Sequence, residues 1–248
     1  MGHVTVYDVA RALPGIGELR DHCRGLAMLD AVLSPEWDGR YYSFDAHWGD
    51  GDVDGDGDGD GEALASMRNG SGDEYAVVFS ASGAYVRGFD HESPMSPWAR
   101  RDDPEPWPGV LDSVPDAFRP YVTEPAFCEE DGVPTVTCCL WREPSDPVWR
   151  TGTVDFPTGG DADGDADGAG HLFELLVDRS AEAYAAWASY YYETEVDVRA
   201  VRHVLALEPL TSEVVAALNP DASLADLARD IAGIGYPSPG DVVDCLEA

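Results

Sequence analysis

The stretch ALASMRNGSGDEYAVVFSASGAYVRGF, residues 63–89, decides the fold. It holds three apolar runs, 63–68, 75–80 and 84–89, separated by Asn69-Gly70-Ser71-Gly72 and by Ser82-Gly83. Short runs rich in Val, Tyr and Phe suit strands, and Asn, Gly and Ser supply the backbone conformations that tight turns need. Three strands joined by turns this short pair as an antiparallel meander.

On the N-terminal side, Tyr41, Tyr42 and Phe44 mark a further strand over 40–44. Before it, Ile16, Leu19, Cys23, Leu26, Leu29, Val32 and Leu33 recur at three- and four-residue steps, which predicts an amphipathic helix ended by Ser34-Pro35. Thr5 caps a shorter helical piece over 6–12, broken at Pro14. On the C-terminal side, 90–125 is proline-rich and irregular, with a helical piece at 116–122. Segments 133–141 and 148–156 read as a second hairpin, and helices are expected over 171–177, 181–193, 197–206, 212–218 and 224–232. Tyr184, Trp187 and Tyr191 fall on one helical stripe, read as core. The expected class is α+β: an antiparallel sheet of about six strands, an N-terminal amphipathic helix, a helical C-terminal region and two disordered acidic loop insertions at 45–62 and 157–170. The expected organisation is a single domain over 1–248, in which residues 1–156 supply the first helix and the sheet and residues 171–236 supply a helical layer packed on it.

The 248 residues include 48 acids against 15 basic residues, every one of them arginine. Two Asp-Gly tracts, 50–62 and 161–167, hold eleven of the acids, and setting them aside still leaves 37 against 15. Acid excess therefore pervades the ordinary surface. Such self-repulsion opposes a compact state in dilute buffer, whereas at 1 M salt the Debye length of about 3 Å removes most of it. Lysine, whose aliphatic stem adds apolar surface, is absent. The pattern resembles that of haloarchaeal cytoplasmic proteins, and a halophilic cytoplasmic protein is the expectation. A surface of this sign repels phosphate backbones, so nucleic acid is not an expected partner. No run of 18 apolar residues and no basic leader followed by an apolar stretch occurs, so neither is a membrane.

Cys23, Cys128, Cys138, Cys139 and Cys245 are odd in number and lack Cys-x-x-Cys spacing, which reads as buried thiols without a disulfide framework or zinc site. No Gly-x-Ser-x-Gly elbow occurs, and without lysine neither a phosphate-loop lysine nor a Schiff base can form. Two constellations are left. Asp163, Asp165, Asp167, Gly168 and Glu174 match the spacing of an EF-hand loop, in which alternating carboxylates and a final Glu converge on Ca²⁺. Arg68, Asn69, Asp73, Glu74, Asp90, His91 and Glu92 lie at strand ends that antiparallel pairing brings together, and a His flanked by carboxylates can act as general base or metal ligand.

The run from Gly70 through Asp73, Glu74 and Tyr75 to Gly83, then Val86 and Asp90-His91-Glu92, resembles the central meander of the SUKH superfamily of immunity and regulatory proteins. The motifs over 66–74 and 88–93 are also similar to those of a haloarchaeal branch of a prokaryotic family to which the resemblance attaches no activity. The SUKH resemblance implies a noncatalytic module that binds another protein, with no cofactor. The rival readings are a small-molecule or metal-dependent enzyme built on Asp90, His91 and Glu92, and a Ca²⁺-binding protein. Convergence of carboxylates and histidine within about 5 Å favours chemistry, and a flat sheet end favours binding.

With a surface this acidic, stability measured by chemical unfolding is expected to rise with KCl toward molar concentration, and full stability in dilute buffer contradicts it.

Overall fold

The computed structural model describes residues 4–49, 61–99, 104–157 and 166–238. Its class is the expected α+β. Six strands, β1 (Tyr42–Asp45), β2 (Ala63–Arg68), β3 (Glu74–Ser80), β4 (Gly83–Phe89), β5 (Cys138–Arg142) and β6 (Arg150–Thr151), form one antiparallel sheet in chain order. Nine helices accompany them among the described residues. The chain divides into two compact units, residues 1–16 with 66–177 and residues 17–65 with 178–248, the boundary falling inside β2. No helix among the described residues is long and apolar enough to cross a membrane.

In the first unit, β3 and β4 pair from Glu74 with Phe89 to Ser80 with Gly83. Gly83 has φ +123°, and a Cβ there would run into the Arg142 carbonyl, so this turn requires glycine. The meander continues as β4 pairs with β5, Gly88 opposite Cys138. Every residue of β4 is buried, because neighbours lie on both of its edges and side chains cover both faces. Helix α1 (Val6–Ala12) buries Val6 and Val9, and at its start the Thr5 amide and hydroxyl both donate to Asp8 Oδ2, at 3.1 and 3.0 Å.

The second hairpin is shorter than 133–141 and 148–156. Pro134 makes only an isolated bridge to Cys128, and proline cannot donate to a ladder. Beyond Thr151 the chain turns to the 107–110 loop: the Trp107 indole donates to the Asp155 carbonyl at 2.9 Å, and Gly152 abuts the Gly109 carbonyl. The acidic loop expected over 157–170 also needs correction. Residues 158–165 lie outside the described residues, as do 50–60, but Ala166, Asp167 and Ala169 are buried and helix α4 (Ala169–Leu172) begins inside the expected loop. The segment expected as one helix over 171–177 is α4 followed by α5 (Glu174–Val177), and 116–122 forms a turn leading into α3 (Arg119–Val122).

The second unit is built on α2 (Ile16–Leu33), whose Leu19, Leu26, Met28, Leu29 and Val32 are fully buried. Gly25 lets α7 (Val198–Leu205) approach, a Cβ there lying 3.0 Å from Leu205 Cδ2. Helix α6 (Ala181–Tyr191) starts at Ser180, whose hydroxyl caps Ala183 N, and α8 (Ser212–Leu218) starts at Thr211 in the same way. The last helix, α9 (Ala228–Ile234), begins later than the expected 224. Ser223 and Asp226 bond to each other in a separate turn, which spends the capping group before the helix starts. Trp187 is the centre of the expected aromatic stripe, 5.4 Å from Tyr184 and 5.2 Å from Tyr191 between ring centroids, with Tyr41 at 4.7 Å.

Asp30 lies beneath this cluster with no exposed surface. Its carboxylate accepts four hydrogen bonds: the backbone amides of Tyr41 and Tyr42 at 2.8 and 2.7 Å, and the hydroxyls of Tyr184 and Tyr192 at 2.7 and 2.9 Å. Burial pushes its pKa up to about 6 against the pull of those donors. The folded chain thus binds a proton that the unfolded chain releases near pH 4. This contribution to stability is complete below that value and is lost as pH rises through about 6, a swing of roughly 3 kcal/mol. Asp30→Asn is expected to flatten the stability profile between about pH 4 and 6. Asp30→Ala strands four donors, two of them in fully buried bonds, and is expected to cost about 3 kcal/mol at pH 7, read from urea midpoints.

Candidate metal centre

The pairing of Glu74 with Phe89 places the next residues outward, Asp73 and Asp90, side by side at one end of the sheet. The turn between β2 and β3 then orients Asp73. Asn69 Nδ2 donates to Asp73 Oδ2 at 2.6 Å, and Asn69 Oδ1 accepts the amides of Ser71 and Asp73, closing the loop on itself. Asp73 Oδ1 accepts both the His91 amide, at 3.0 Å, and the His91 ring Nδ1, at 2.6 Å. Asp90 is anchored through its amide, which donates to Thr137 Oγ1, and its Oδ1 accepts the Glu92 amide.

A third group arrives from far along the chain. His171 lies on α4, and its Nε2 is 3.8 Å from Asp73 Oδ2. Two glycines allow that approach. A Cβ on Gly88 would press on Cys138 Sγ at 2.7 Å and on Phe173 and Leu172 at 2.8 and 3.0 Å, so α4 and the residue after it rest directly on bare backbone. Gly168, at φ +74°, sits so close to Asp90 that a Cβ there would collide with the Asp90 side chain. Asp73, Asp90 and His171 consequently offer one ligand atom each, all within 4.8 Å of one another.

The electrostatics favour a cationic neighbour. Burial raises Asp73, but the hydrogen bonds from the His91 ring and amide outweigh it and hold the carboxyl below its ordinary range. The same Asp73 hydrogen bond raises the His91 pKa above the usual histidine value. The ion pair therefore exists between the lowered Asp73 value and the raised His91 value. Its stabilisation is lost as pH falls through the first or rises through the second.

The residues singled out at this sheet end divide. Asn69, Asp73, Asp90 and His91 come together. Glu92 does not, its side chain being 85% exposed and 3.9 Å from His91 Nε2. Glu74 turns away to Arg87, whose Nη2 donates to it at 2.5 Å while Nη1 donates to the Thr135 carbonyl, and the exposed Arg68 forms a looser ion pair with Glu74 at 3.7 Å. Sequence reading missed His171 and Arg87, because nothing local links residue 171 to residue 73. Gly88 and Gly168, which let the two segments touch, mark the contact only once the fold is known. Of the EF-hand set, Asp163 and Asp165 lie outside the described residues. Glu174 opens α5, and Asp167 spends both oxygens on backbone amides, accepting Val6 N at 2.9 Å and Ala169 N at 3.0 Å. Cys23, Cys138 and Cys139 are buried free thiols as expected, burial pushing Cys139 up to about 12, and Cys245 lies outside the described residues.

Comparison with family models, with curated proteins and with solved structures finds no match to this chain.

The His91 pair is testable by NMR titration. His91 is expected to titrate above about 6.5 in the wild type and to move down toward that value in Asp73→Asn. An unchanged titration means that the pair does not form in solution.

Proposed function

We propose that this is a metal-dependent protein whose centre is a first-row divalent cation held by Asp73, Asp90 and His171. The observation that carries this reading is the convergence within 4.8 Å of three ligand atoms, from the residue before β3, the residue after β4, and α4. A tetrahedral site with bonds of about 2.1 Å sets its ligands roughly 3.4 Å apart, so modest side-chain adjustment closes the set. The imidazole favours zinc, iron or manganese over magnesium and calcium, which prefer all-oxygen shells. Asp73 keeps lone pairs for the cation, since a carboxylate has about four and the bonds to His91 and Asn69 use three. Those bonds also fix its orientation, as supporting partners do in metal sites generally.

Three protein ligands leave a coordination position for water or a substrate oxygen, the arrangement of a Lewis-acid centre in metal-assisted hydrolysis. His91, hydrogen-bonded to Asp73, stands one carboxylate away and is placed to exchange a proton with a bound water or substrate. The side chain of His171 is 48% exposed, so a substrate can reach the centre from solvent. The acidic, lysine-free composition and the absence of a spanning helix among the described residues support a halophilic, cytoplasmic setting.

A second reading, a regulatory or immunity-type module that binds another protein, is supported by different residues. Tyr190 at the end of α6 is 86% exposed and Tyr191 is 39% exposed, and aromatics of this kind anchor interfaces. Tyr190→Ser separates the readings, because it weakens capture of a protein partner and leaves metal binding intact.

Calorimetric titration of the metal-free protein with Zn²⁺ and Mn²⁺ in molar KCl is expected to give one site. His171→Ala and Asp90→Ala are each expected to weaken it at least tenfold, and His91→Ala less than either. Absence of stoichiometric binding by the wild type rejects the centre.

A further inference from the structure

The second unit carries a site of a different kind. A cavity of about 290 Å³ opens between β1, α9 and the turn that follows α2. Tyr42, Phe44 and Ile234, all buried, form an apolar floor. Trp37 stands at its edge with 65% of its surface exposed, an unusual position for the largest apolar side chain. Its ring is braced by the Arg40 guanidinium 5.4 Å from the centroid.

Four charged side chains line this cavity; Arg40 and Asp230 neutralise each other, Asp45 holds a local backbone amide, and molar salt screens its charge from the rest of the wall. Arg40, only 6% exposed, donates to both Asp230 oxygens at 2.5 and 3.2 Å and to the carbonyls of Ser34 and Pro35 at 3.1 and 2.9 Å. That occupies the Asp230 carboxylate as well. Asp45 accepts the His47 amide at 2.9 Å. Arg229 is exposed and is the wall charge without an ion pair or hydrogen bond among the described residues. What sets Arg229 apart is its place: it is the arginine on the wall of this cavity whose guanidinium is not already bonded among the described residues.

We infer that this cavity binds a small planar organic anion, an aromatic carboxylate, with its ring against Trp37 and the apolar floor and its carboxylate on Arg229. A flat ring matches an indole wall, and a guanidinium matches a carboxylate through two parallel hydrogen bonds. The volume suits the ligand, since a cavity of about 150 Å³ accommodates benzene and this one is about twice that. The anchored Arg40–Asp230 pair keeps the wall rigid before the ligand arrives, which lowers the ordering cost of binding. This site shares no residue with the metal centre and stands or falls apart from it.

The probe is 1-naphthoate, with neutral 1-naphthalenemethanol as its isostere, titrated calorimetrically into the full chain in molar KCl. Saturable 1:1 binding of naphthoate, at least about fivefold tighter than the alcohol, is expected. Arg229→Gln is expected to weaken naphthoate about tenfold and leave the alcohol unchanged, and Trp37→Ala to weaken both. Both substitutions are at exposed positions, and an unchanged urea midpoint verifies that each variant is folded. Failure of naphthoate to saturate, equal binding of the alcohol, or an Arg229→Gln variant that binds naphthoate as the wild type does overturns the assignment.

Discussion

The antiparallel register of β3 and β4 is the constraint on which the candidate centre depends. With Ser80 opposite Gly83 the turn is as short as a hairpin permits, and every later pair follows from it up to Glu74 opposite Phe89. Asp73 and Asp90 are therefore neighbours whatever their own chemistry. A slip of one residue turns each of these side chains to the other face and dissolves the arrangement. The slip is opposed because it would bring Arg87 out of its bonds to Glu74 and Thr135 and set Cβ atoms where Gly83 and Gly88 leave room for none.

Close backbone approach makes the second contribution. At Gly88 and Gly168, α4 and the sheet end meet where no Cβ intervenes, and at Gly25 α7 meets α2 in the same manner. A larger residue at either of the first two positions collides with Cys138, Phe173 and Leu172 or with Asp90, so the segments have to move apart. The same glycines carry no charge and no apolar surface, so their role is invisible in composition and becomes evident only when two segments are seen in contact.

Carboxylates serve three distinct physical purposes in this chain. Most are solvated surface groups. Asp30 and Asp167 are interior acceptors that gather backbone amides and tyrosine hydroxyls, and so act as structural nodes within their units. Asp73 and Asp90 lie between these extremes, partly buried and oriented, yet near enough to solvent to meet a cation. Partial burial with fixed orientation sets these two apart from the surface acids, and in a chain this acidic no count of Asp residues could identify them.

The order of helices and strands, the antiparallel meander and the α+β class were legible in the sequence, because periodicity and turn residues act over a few positions. Five of the six strands begin within two residues of the expected place or match it outright, as β2 does. The exception is β5, where Pro134 interrupts a run whose apolar pattern otherwise suited a strand. Half of the candidate centre was legible for the same local reason, since Asn69, Asp73, Asp90 and His91 flank two turns of one meander. Only the tertiary structure joined His171 to them, excluded Glu92, and turned Asp167 inward to backbone amides. Those outcomes depend on contacts across about 80 to 160 residues of chain, where packing against bare glycine and the satisfaction of buried polar groups, rather than local propensity, select the arrangement.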